Sequence, residues 1–581
     1  MSSLAPAYRP RRPTESVLYR VVRESLETFL AHARESYESP LPRYVEKELR
    51  GYLRCGIFAH GFIRAHCDQC GHDLLVAFSC KARSVCPSCA GRRMANTAAN
   101  LVDRVLPAVA VRQWVLSLPW DLRALAAFKS DVLSALVRMF VEAIFARYQK
   151  WATSQGAPKP SCGAITHVQR FGSSLNLNVH FHVMVLDGVF TRDQSDNPKF
   201  HCAPSPTLDE LDAVVRRVRR RAIGWLQRKG YLNSSTDAYS TESSVQTSID
   251  ACAAIAMGRG IVKTLCEDND AAEELDSKVH SPLPNAGALE RDGFNVHASV
   301  VVAADDDLGR ERLMRYGARP PLALDRLRRL PGGRIAYKIK SARGGRAKYR
   351  VIAPLEFMAR LAALVPPPRY PLLRYHGVLA PRSPWRREIV PRPREIQSSR
   401  CSPAKRTSSE LTRGHASTTR RPAHTSDRRT PPQRTEHRDS TIALRSPGVS
   451  SGLQIGCRTG IPVANSSAQT STAVTSLAAS WMSGFDVLAP NIVSVKHWNR
   501  LLGGQLYAAS PRIDWARLLR RCFDVDVLNC PTCGGRLRVL SEVTDPTMIG
   551  LMLEALGLPT VAPRAARARD PTELGGESES I

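Results

Sequence analysis

The sequence predicts an α+β protein of several domains with a metal-binding unit near its N-terminus. Apolar residues recur at helical spacing from about Ser16 to Arg54 and again over 131–152, whereas from Cys162 onward they alternate with polar residues, as in strands. Two Cys-x-x-Cys pairs lie between the helical segments. A chain of 581 residues, 43% of them apolar, is long enough for about three to four domains.

The excess of basic residues indicates nucleic acid as the partner. The chain has a formal net charge of +29, and polyphosphate backbones favour such proteins through counterion release. An arginine-rich proteome or a basic disordered tail would produce the same excess. No stretch reaches the roughly 18 apolar residues that a membrane span needs, and the segment Met1 to Arg12 lacks the apolar core of a signal peptide. We therefore expect no membrane association and a cytoplasmic location.

Changes in composition along the chain mark the expected domain boundaries. Residues 390–479 are rich in Ser, Thr, Arg and Pro and have no periodicity, which is typical of a disordered basic linker. A frameshift in an old gene copy would leave a similar segment. The expected division is N-terminal helices at 1–54, a zinc-binding domain at 55–95, a large α+β domain at 96–389, the linker, and a small C-terminal segment at 480–581.

The two paired cysteine motifs predict a structural zinc site. Cys67, Cys70, Cys86 and Cys89 can supply four thiolates at tetrahedral angles, which fill the coordination sphere of Zn²⁺ and leave no position for water. Cys55, Cys80, His60 and His66 are further candidates nearby, and incidental buried cysteines are the alternative. Basic residues close to the motif, Arg92 and Arg93 among them, suit phosphate contact.

A third Cys-x-x-Cys motif lies near the C-terminus. Cys530 and Cys533 have no downstream partner pair, and Cys522 alone cannot complete a set of four ligands. The sequence leaves open whether they form a second zinc knuckle or a turn with free thiols.

A His-x-His pair on a predicted strand is the candidate catalytic metal site. Alternation places His180 and His182 on one face of the strand, and Val179, Phe181 and Val183 on the other. Two imidazoles one pleat apart can chelate a divalent cation and leave positions open for phosphate oxygens. Satisfied core histidines would give the same pattern.

Several segments, taken together, resemble the insertion-sequence transposases of the IS91 type, which use the HUH motif of single-strand endonucleases. The matching segments occur in the family's order, cover most of residues 50–390 and include a short match near the C-terminus. They are CDQCGHDLLVAFSCKARSVCPSCAGRRMANTAANLVDRVLP, VRQWVLSLPWDLR, QRFGSSLNLNVHFHVMVLDGVF, LMRYGARPPLALDRL, APLEFMARLAALVPPPRYPLLRYHGVLAP and CPTCGGRLRVL.

The resemblance implies an HUH-type antiparallel sheet with packed helices and a nucleophilic tyrosine, Tyr316, on a neighbouring helix. Local sequence agrees, because Asp305 to Asp307 can cap a helix that Gly317 and Pro320 end. Arg315 and Arg319 would bind phosphate beside it. Arg312 stands where some relatives have a second tyrosine, so the chain resembles the single-tyrosine branch. The fallback nucleophiles are Tyr337, Tyr370 and Tyr375.

The function implied by the resemblance is rolling-circle DNA transposition in bacteria. The enzyme would nick the single-stranded ends of a mobile element through a 5′-phosphotyrosine and transfer the strand. The cation would be Mg²⁺ or Mn²⁺, with His297 as first choice for the third ligand and Gln169 as second. A plasmid or phage replication initiator and a non-catalytic zinc-dependent DNA-binding protein are the alternatives, and the oligomeric state is left open.

Overall fold

The computed structural model of the protein describes residues 12–232, 247–258, 288–339, 349–391, 515–523 and 525–570. The predicted α+β class is confirmed over these ranges, because helices alternate with antiparallel sheets. The predicted linker at 390–479 lies outside the described residues except for its first two positions.

Helices and strands occur throughout the described ranges. The helices are α1 (Val17–Ser36), α2 (Arg43–Arg54), α3 (Pro87–Arg104), α4 (Trp120–Phe128), α5 (Ser130–Ser154), α6 (Leu208–Arg228), α7 (Ser248–Met257), α8 (Asp307–Gly317), α9 (Pro354–Leu364), α10 (Arg386–Ile389), α11 (Trp515–Phe523) and α12 (Pro546–Ala555). The strands are β1 (Phe62–Cys67), β2 (Asp73–Ala77), β3 (Val111–Ser117), β4 (Gly163–Phe171), β5 (Leu177–Leu186), β6 (Gly188–Arg192), β7 (Pro198–Cys202), β8 (Ala288–Arg291), β9 (Phe294–Val302), β10 (Leu327–Arg329), β11 (Ile335–Lys338), β12 (Tyr349–Ile352), β13 (Leu373–Gly377) and β14 (Leu537–Val543). No helix in the described ranges combines the length and the apolar character needed to cross a membrane.

A six-stranded antiparallel sheet forms the centre of the molecule. Its strand order is β13-β4-β5-β3-β9-β8. β4 and β5 form a hairpin, closed where the amide of Gly172 donates to the carbonyl of Asn176 at 3.0 Å. The His-x-His strand, β5, therefore has a hydrogen-bonded neighbour on each side.

Each face of the sheet packs against its own apolar cluster. Phe181 and Val183 of β5 belong to a large cluster that includes side chains of α1, α5, α6 and α9. Met184, which points the opposite way, lies in a smaller cluster with Leu313 and Met314 of α8 and with residues of α3. Alternation of buried side chains on a strand requires a covering layer on each side. The helices α3 and α8 supply that layer on the histidine face.

The C-terminal segment joins the N-terminal region in a second, three-stranded sheet. β14 pairs antiparallel with β1, which in turn pairs with β2. α11 packs Leu518, Leu519 and Cys522 against small residues of α3. Segments that the sequence assigns to separate domains are thus parts of one packed unit.

Candidate active site and metal centres

His180 and His182 lie together on one face of β5, as the alternation predicts. Their ring centroids are 4.9 Å apart. Both side chains are buried, at 8% and 3% exposure. On the opposite face, Val179 and Phe181 belong to the large apolar cluster.

Both imidazoles are held neutral at physiological pH. Burial lowers the pKa of His180 to about 4, and burial also lowers the pKa of His182 well below its usual range. Nδ1 of His180 lies 2.9 Å from the carbonyl oxygen of Asn178, which can only accept. The proton of His180 is therefore on Nδ1, and its Nε2 carries a lone pair suited to a cation.

The surroundings of His182 also suit a cation. Its Nε2 is a buried atom with no hydrogen-bond partner among the described residues, which is costly unless a ligand satisfies it. Its Nδ1 lies 2.6 Å from the side-chain amide of Gln113 on β3. Cation binding at Nε2 requires the proton on Nδ1, and a half-turn of the Gln113 amide would present its oxygen to accept that proton. The two histidines thus fit a divalent ion.

Helix α8 brings Tyr316 to the histidine pair. Its N-terminus is capped by Asp306, which accepts from the amide of Gly309 at 2.8 Å, and it ends at Gly317, as the sequence predicts. The side-chain amide of Gln169 on β4 donates to the carbonyls of Tyr316 and Gly317 at 2.7 and 3.0 Å, which ties the last turn to the sheet. The rings of His182 and Tyr316 meet edge to face with centroids 5.2 Å apart.

Arg319 follows the helix and covers the tyrosine. Its guanidinium lies 4.9 Å from the ring centroid of Tyr316 and 5.2 Å from that of Phe171. Its Nε donates to Oε1 of Gln169 at 3.3 Å. Two cavities of about 160 and 120 Å³ adjoin here, and both are lined by Arg319 and Phe171. Tyr316 lines the larger cavity, so a phosphate entering it would meet the phenol and the guanidinium of Arg319 together.

The structure places His297, the first choice for the third metal ligand, two strands from His182 rather than on an adjacent strand. His297 lies on β9, and β3 separates that strand from β5, so His297 is not across from His182. Within the described residues, the groups of three or more His, Cys, Asp or Glu ligand atoms lying within 4.8 Å of one another are all cysteine clusters. The direct neighbours on β4 are His167, opposite His182, and Gln169, opposite His180.

His167 and Gln113 are residues of this site that the sequence interpretation missed. His167 is buried, its Nε2 has no hydrogen-bond partner in the part of the chain that the structure describes, and burial lowers its pKa to about 4. A register shift between Gln169 and Phe171 brings His167 opposite His182, whereas regular pairing counted back from the turn would place it opposite Phe181, so the sequence pattern alone did not identify it. No local signal identifies Gln113, because β3 is distant in the chain.

Of the arginines predicted to bind DNA, Arg315 is reassigned by the structure. It is buried, and its guanidinium forms an ion pair with Glu311, one turn earlier in α8, at 2.6 Å. Arg315 therefore stabilises the helix and does not face a bound phosphate. Arg93 is exposed and lines the smaller cavity together with Arg319. Arg92 is half-buried on α3.

The fallback tyrosines have less suitable surroundings than Tyr316. Tyr337 is buried, and burial raises its pKa. Burial raises the pKa of Tyr370 to about 12, and its hydroxyl donates to the carbonyl of Ala126. Tyr375 is half-buried on β13 at the sheet edge, and burial raises its pKa. A buried phenol resists the ionisation that a nucleophile needs.

Within the described part of the chain, eight cysteines form two clusters of four, and the predicted grouping of Cys67 and Cys70 with Cys86 and Cys89 is wrong. The first cluster combines Cys86 and Cys89 with Cys55 and Cys80. Its Sγ–Sγ distances include 3.5 Å for Cys80–Cys89 and 3.6 Å for Cys55–Cys86. A tetrahedral Zn²⁺ with Zn–S bonds near 2.3 Å spaces its sulfurs about 3.8 Å apart. The cluster fits a structural Zn²⁺.

The second cluster unites the remaining pairs from opposite ends of the chain. Cys67 and Cys70 lie against Cys530 and Cys533, all four with Sγ atoms within 4.8 Å of one another. The sequence interpretation found no partner for the C-terminal pair, and the structure supplies that partner from β1 and the turn after it.

Comparisons with known families agree with this geometry. Residues 163–387 match the transposase family Y2_Tnp, and this range contains the histidine pair and Tyr316. Residues 21–118 match the transposase zinc-binding domain of the IS91 type, and this range contains the whole first cysteine cluster. No curated protein and no solved structure matches the chain significantly. Both regions are matched in order, and together these two matches support an IS91-type transposase.

Proposed function

We propose that this transposase nicks single-stranded DNA with Tyr316, through a 5′-phosphotyrosine intermediate, and transfers the strand in rolling-circle transposition. The observation that carries the proposal is the 5.2 Å separation between the Tyr316 and His182 rings. Phenol and imidazoles converge on one side of a rigid sheet, with an arginine beside them. That combination suits attack on a phosphodiester.

The proposed step exchanges one ester bond for another. The phenolic oxygen of Tyr316 attacks phosphorus, the new O–P bond forms, and the bond from phosphorus to the 3′-oxygen breaks. The phenol proton passes to water, and the departing 3′-oxygen takes up a proton to become a hydroxyl. The phosphotyrosine retains the ester for later attack by a 3′-hydroxyl, so strand joining needs no nucleotide energy source.

The residues that would hold the cation are His180, His182 and one group from β4. Gln169 is the second-choice ligand from the sequence, and its position opposite His180 favours it over His297. Mg²⁺ or Mn²⁺ bound there would withdraw charge from the phosphate oxygens. Because these donors are neutral, we expect weak cation binding until a DNA phosphate adds negative charge.

The chain's own residues would orient the DNA. Arg319 lies over the Tyr316 ring and lines both cavities, so it can bind the scissile phosphate or its neighbour. Arg93, on the wall of the smaller cavity, lies where the zinc-binding region meets the central sheet. A strand that crosses both cavities would contact the two arginines in turn.

A nicking assay tests the proposal. Purified protein is incubated with single-stranded oligonucleotides from the ends of the element and Mn²⁺, and a covalent protein–DNA adduct is sought by denaturing gel. We expect an adduct from the wild type and from Tyr349→Phe, which alters an exposed tyrosine on β12, and none from Tyr316→Phe. Full cleavage by Tyr316→Phe would refute the nucleophile assignment.

The same experiment excludes or supports the first alternative function, and a second assay is needed for the other. A non-catalytic DNA-binding protein would bind the oligonucleotides without forming an adduct. A replication initiator would form the adduct, so a mating-out assay of a marked element is needed to detect transfer between replicons. Because the DNA of bacteria lies in the cytoplasm, we place the reaction there.

A further inference from the structure

We infer that Cys67, Cys70, Cys530 and Cys533 hold a second structural Zn²⁺, which fastens the C-terminal segment to the zinc-binding region. The contacts Cys67–Cys533 and Cys70–Cys530 are both 3.5 Å between sulfurs, near the spacing of about 3.8 Å that a tetrahedral zinc imposes. All four are free cysteines. Four thiolates leave no open position, so the site is structural.

The two cysteine pairs have the same backbone turn. The amides of Cys67 and Cys530 each donate to the carbonyl five residues later, at 2.9 and 2.7 Å. The glycine that follows each pair, Gly71 or Gly534, donates back to the first cysteine at 2.9 Å. These glycines have φ of 73° and 74°, a left-handed conformation that favours glycine. Two copies of one turn aimed at a common point are the usual construction of a four-cysteine zinc site.

Strand β14 needs such an anchor because it buries little apolar surface. Of the residues of β14, only the first and the last are buried. The buried members of the apolar cluster at the metal end of this strand are Ala65, Leu537 and two of the cysteines, with Leu74 and Leu528 partly buried against them. In a unit this small, metal binding supplies folding free energy that the core does not.

The anchored segment also contacts the helix of the proposed nucleophile. Arg521 of α11 is 1% exposed and pairs with Asp103 of α3 at 2.7 Å and with Glu311 of α8 at 2.9 Å. The zinc therefore holds in place a helix that supports α8. Loss of this metal should loosen α8 without removing any residue of the histidine pair.

Metal analysis of the full-length chain tests the inference. We expect one zinc for each four-cysteine cluster in the wild type, and loss of one of them in the double variant Cys530→Ser, Cys533→Ser. The control Cys202→Ser alters an exposed cysteine outside both clusters and should keep the wild-type zinc content. An unchanged zinc content in the double variant would overturn the inference.

Two further measurements test the inference in case the double variant fails to fold. Cobalt titration of the zinc-free wild type should give thiolate-to-metal absorption that saturates at one equivalent per cluster, and saturation at a single equivalent would overturn the inference. Hydrogen exchange of the double variant should be faster in β14 and α8 but unchanged in β5. Equal protection of β14 in variant and wild type would contradict the anchoring role. Neither measurement depends on DNA cleavage, so failure of the proposed catalytic function would leave this inference standing.

Discussion

Gly317 sets how closely the last turn of α8 approaches the sheet. A Cβ at this position would lie 2.8 Å from the ring of His167 and 3.0 Å from Met184. Both neighbours are buried and cannot withdraw easily. We predict that Gly317→Ala displaces Tyr316 and lowers nicking by about tenfold or more, with destabilisation of about 1–3 kcal/mol.

The matched control for this variant is Gly224→Ala. Gly224 lies in α6, where a Cβ would meet no atom of the described residues within 4 Å. Alanine there should raise stability by about 0.5–1 kcal/mol and leave single-strand nicking unchanged. Wild-type nicking by Gly317→Ala would show that the close approach is not needed.

The buried histidines predict that stability falls at acid pH. Burial lowers the pKa of His167 and His180 to about 4, against about 6.5 in the unfolded chain. The unfolded state therefore binds more protons between these values, so stability is complete above pH 6.5 and is lost as the pH falls towards 4. At pH 5, each of these two histidines should lower the free energy of unfolding by about 2 kcal/mol. Urea midpoints from pH 7 to 5 measure the slope, which His167→Gln should reduce; an identical slope in that variant would exclude His167 as a source.

At the scale of elements, the sequence predicts what local patterns determine. Alternation along β5 predicted which face of the strand carries the histidines. The capping and termination signals of α8 predicted that Tyr316 lies on its last turn. Both predictions succeed because they depend on residues close in the chain. The prediction of His297 as the third metal ligand, by contrast, depended on the order of the strands in the sheet. β3 enters the sheet between β5 and β9, and no local signal encodes that.

The grouping of the cysteines failed for a geometric reason. β1 and β2 form a hairpin, and the turn with Cys67 and Cys70 lies at one end of it, whereas Cys80 follows β2 at the other end. A strand of this length spans roughly 16 Å, far more than one zinc site can bridge. Cys55 lies at the same end as Cys80 because the amide of Gly56 donates to the carbonyl of Phe78 at 2.9 Å.

The junction of α3, α8 and α11 yields a prediction about stability. Arg521→Met leaves the buried Asp103 without the arginine of this ion pair. It also removes one of the two arginines that pair with Glu311. Removing one member of a buried ion pair typically costs about 3–5 kcal/mol. The control Arg520→Met, on the same helix, breaks an exposed pair with a 3.8 Å separation and should cost about 0–1 kcal/mol. Equal urea midpoints for the two variants would contradict a supporting role for Arg521.

At the scale of the whole molecule, the distribution of charge limits where DNA can bind. Arginines of α6 are paired with acids, for example Arg219 with Asp292 and Arg221 with Glu142, so this basic helix offers less free charge than its sequence indicates. The cavities beside Arg319 are the better candidates. The second cysteine cluster connects the zinc-binding region to the C-terminal segment.

The two classes of metal site should respond differently to metal removal. Brief EDTA treatment followed by gel filtration should remove a cation held by neutral imidazoles, while zinc enclosed by four thiolates dissociates slowly. Nicking should then be lost and return with Mn²⁺ or Mg²⁺, whereas the zinc content and the circular dichroism spectrum stay constant. A thiol-specific mercurial should instead release zinc and unfold the segment that contains β14, and Mn²⁺ should not restore it. If nicking after EDTA recovered only with added Zn²⁺, the catalytic cation would be zinc and the expectation of Mg²⁺ or Mn²⁺ would be wrong.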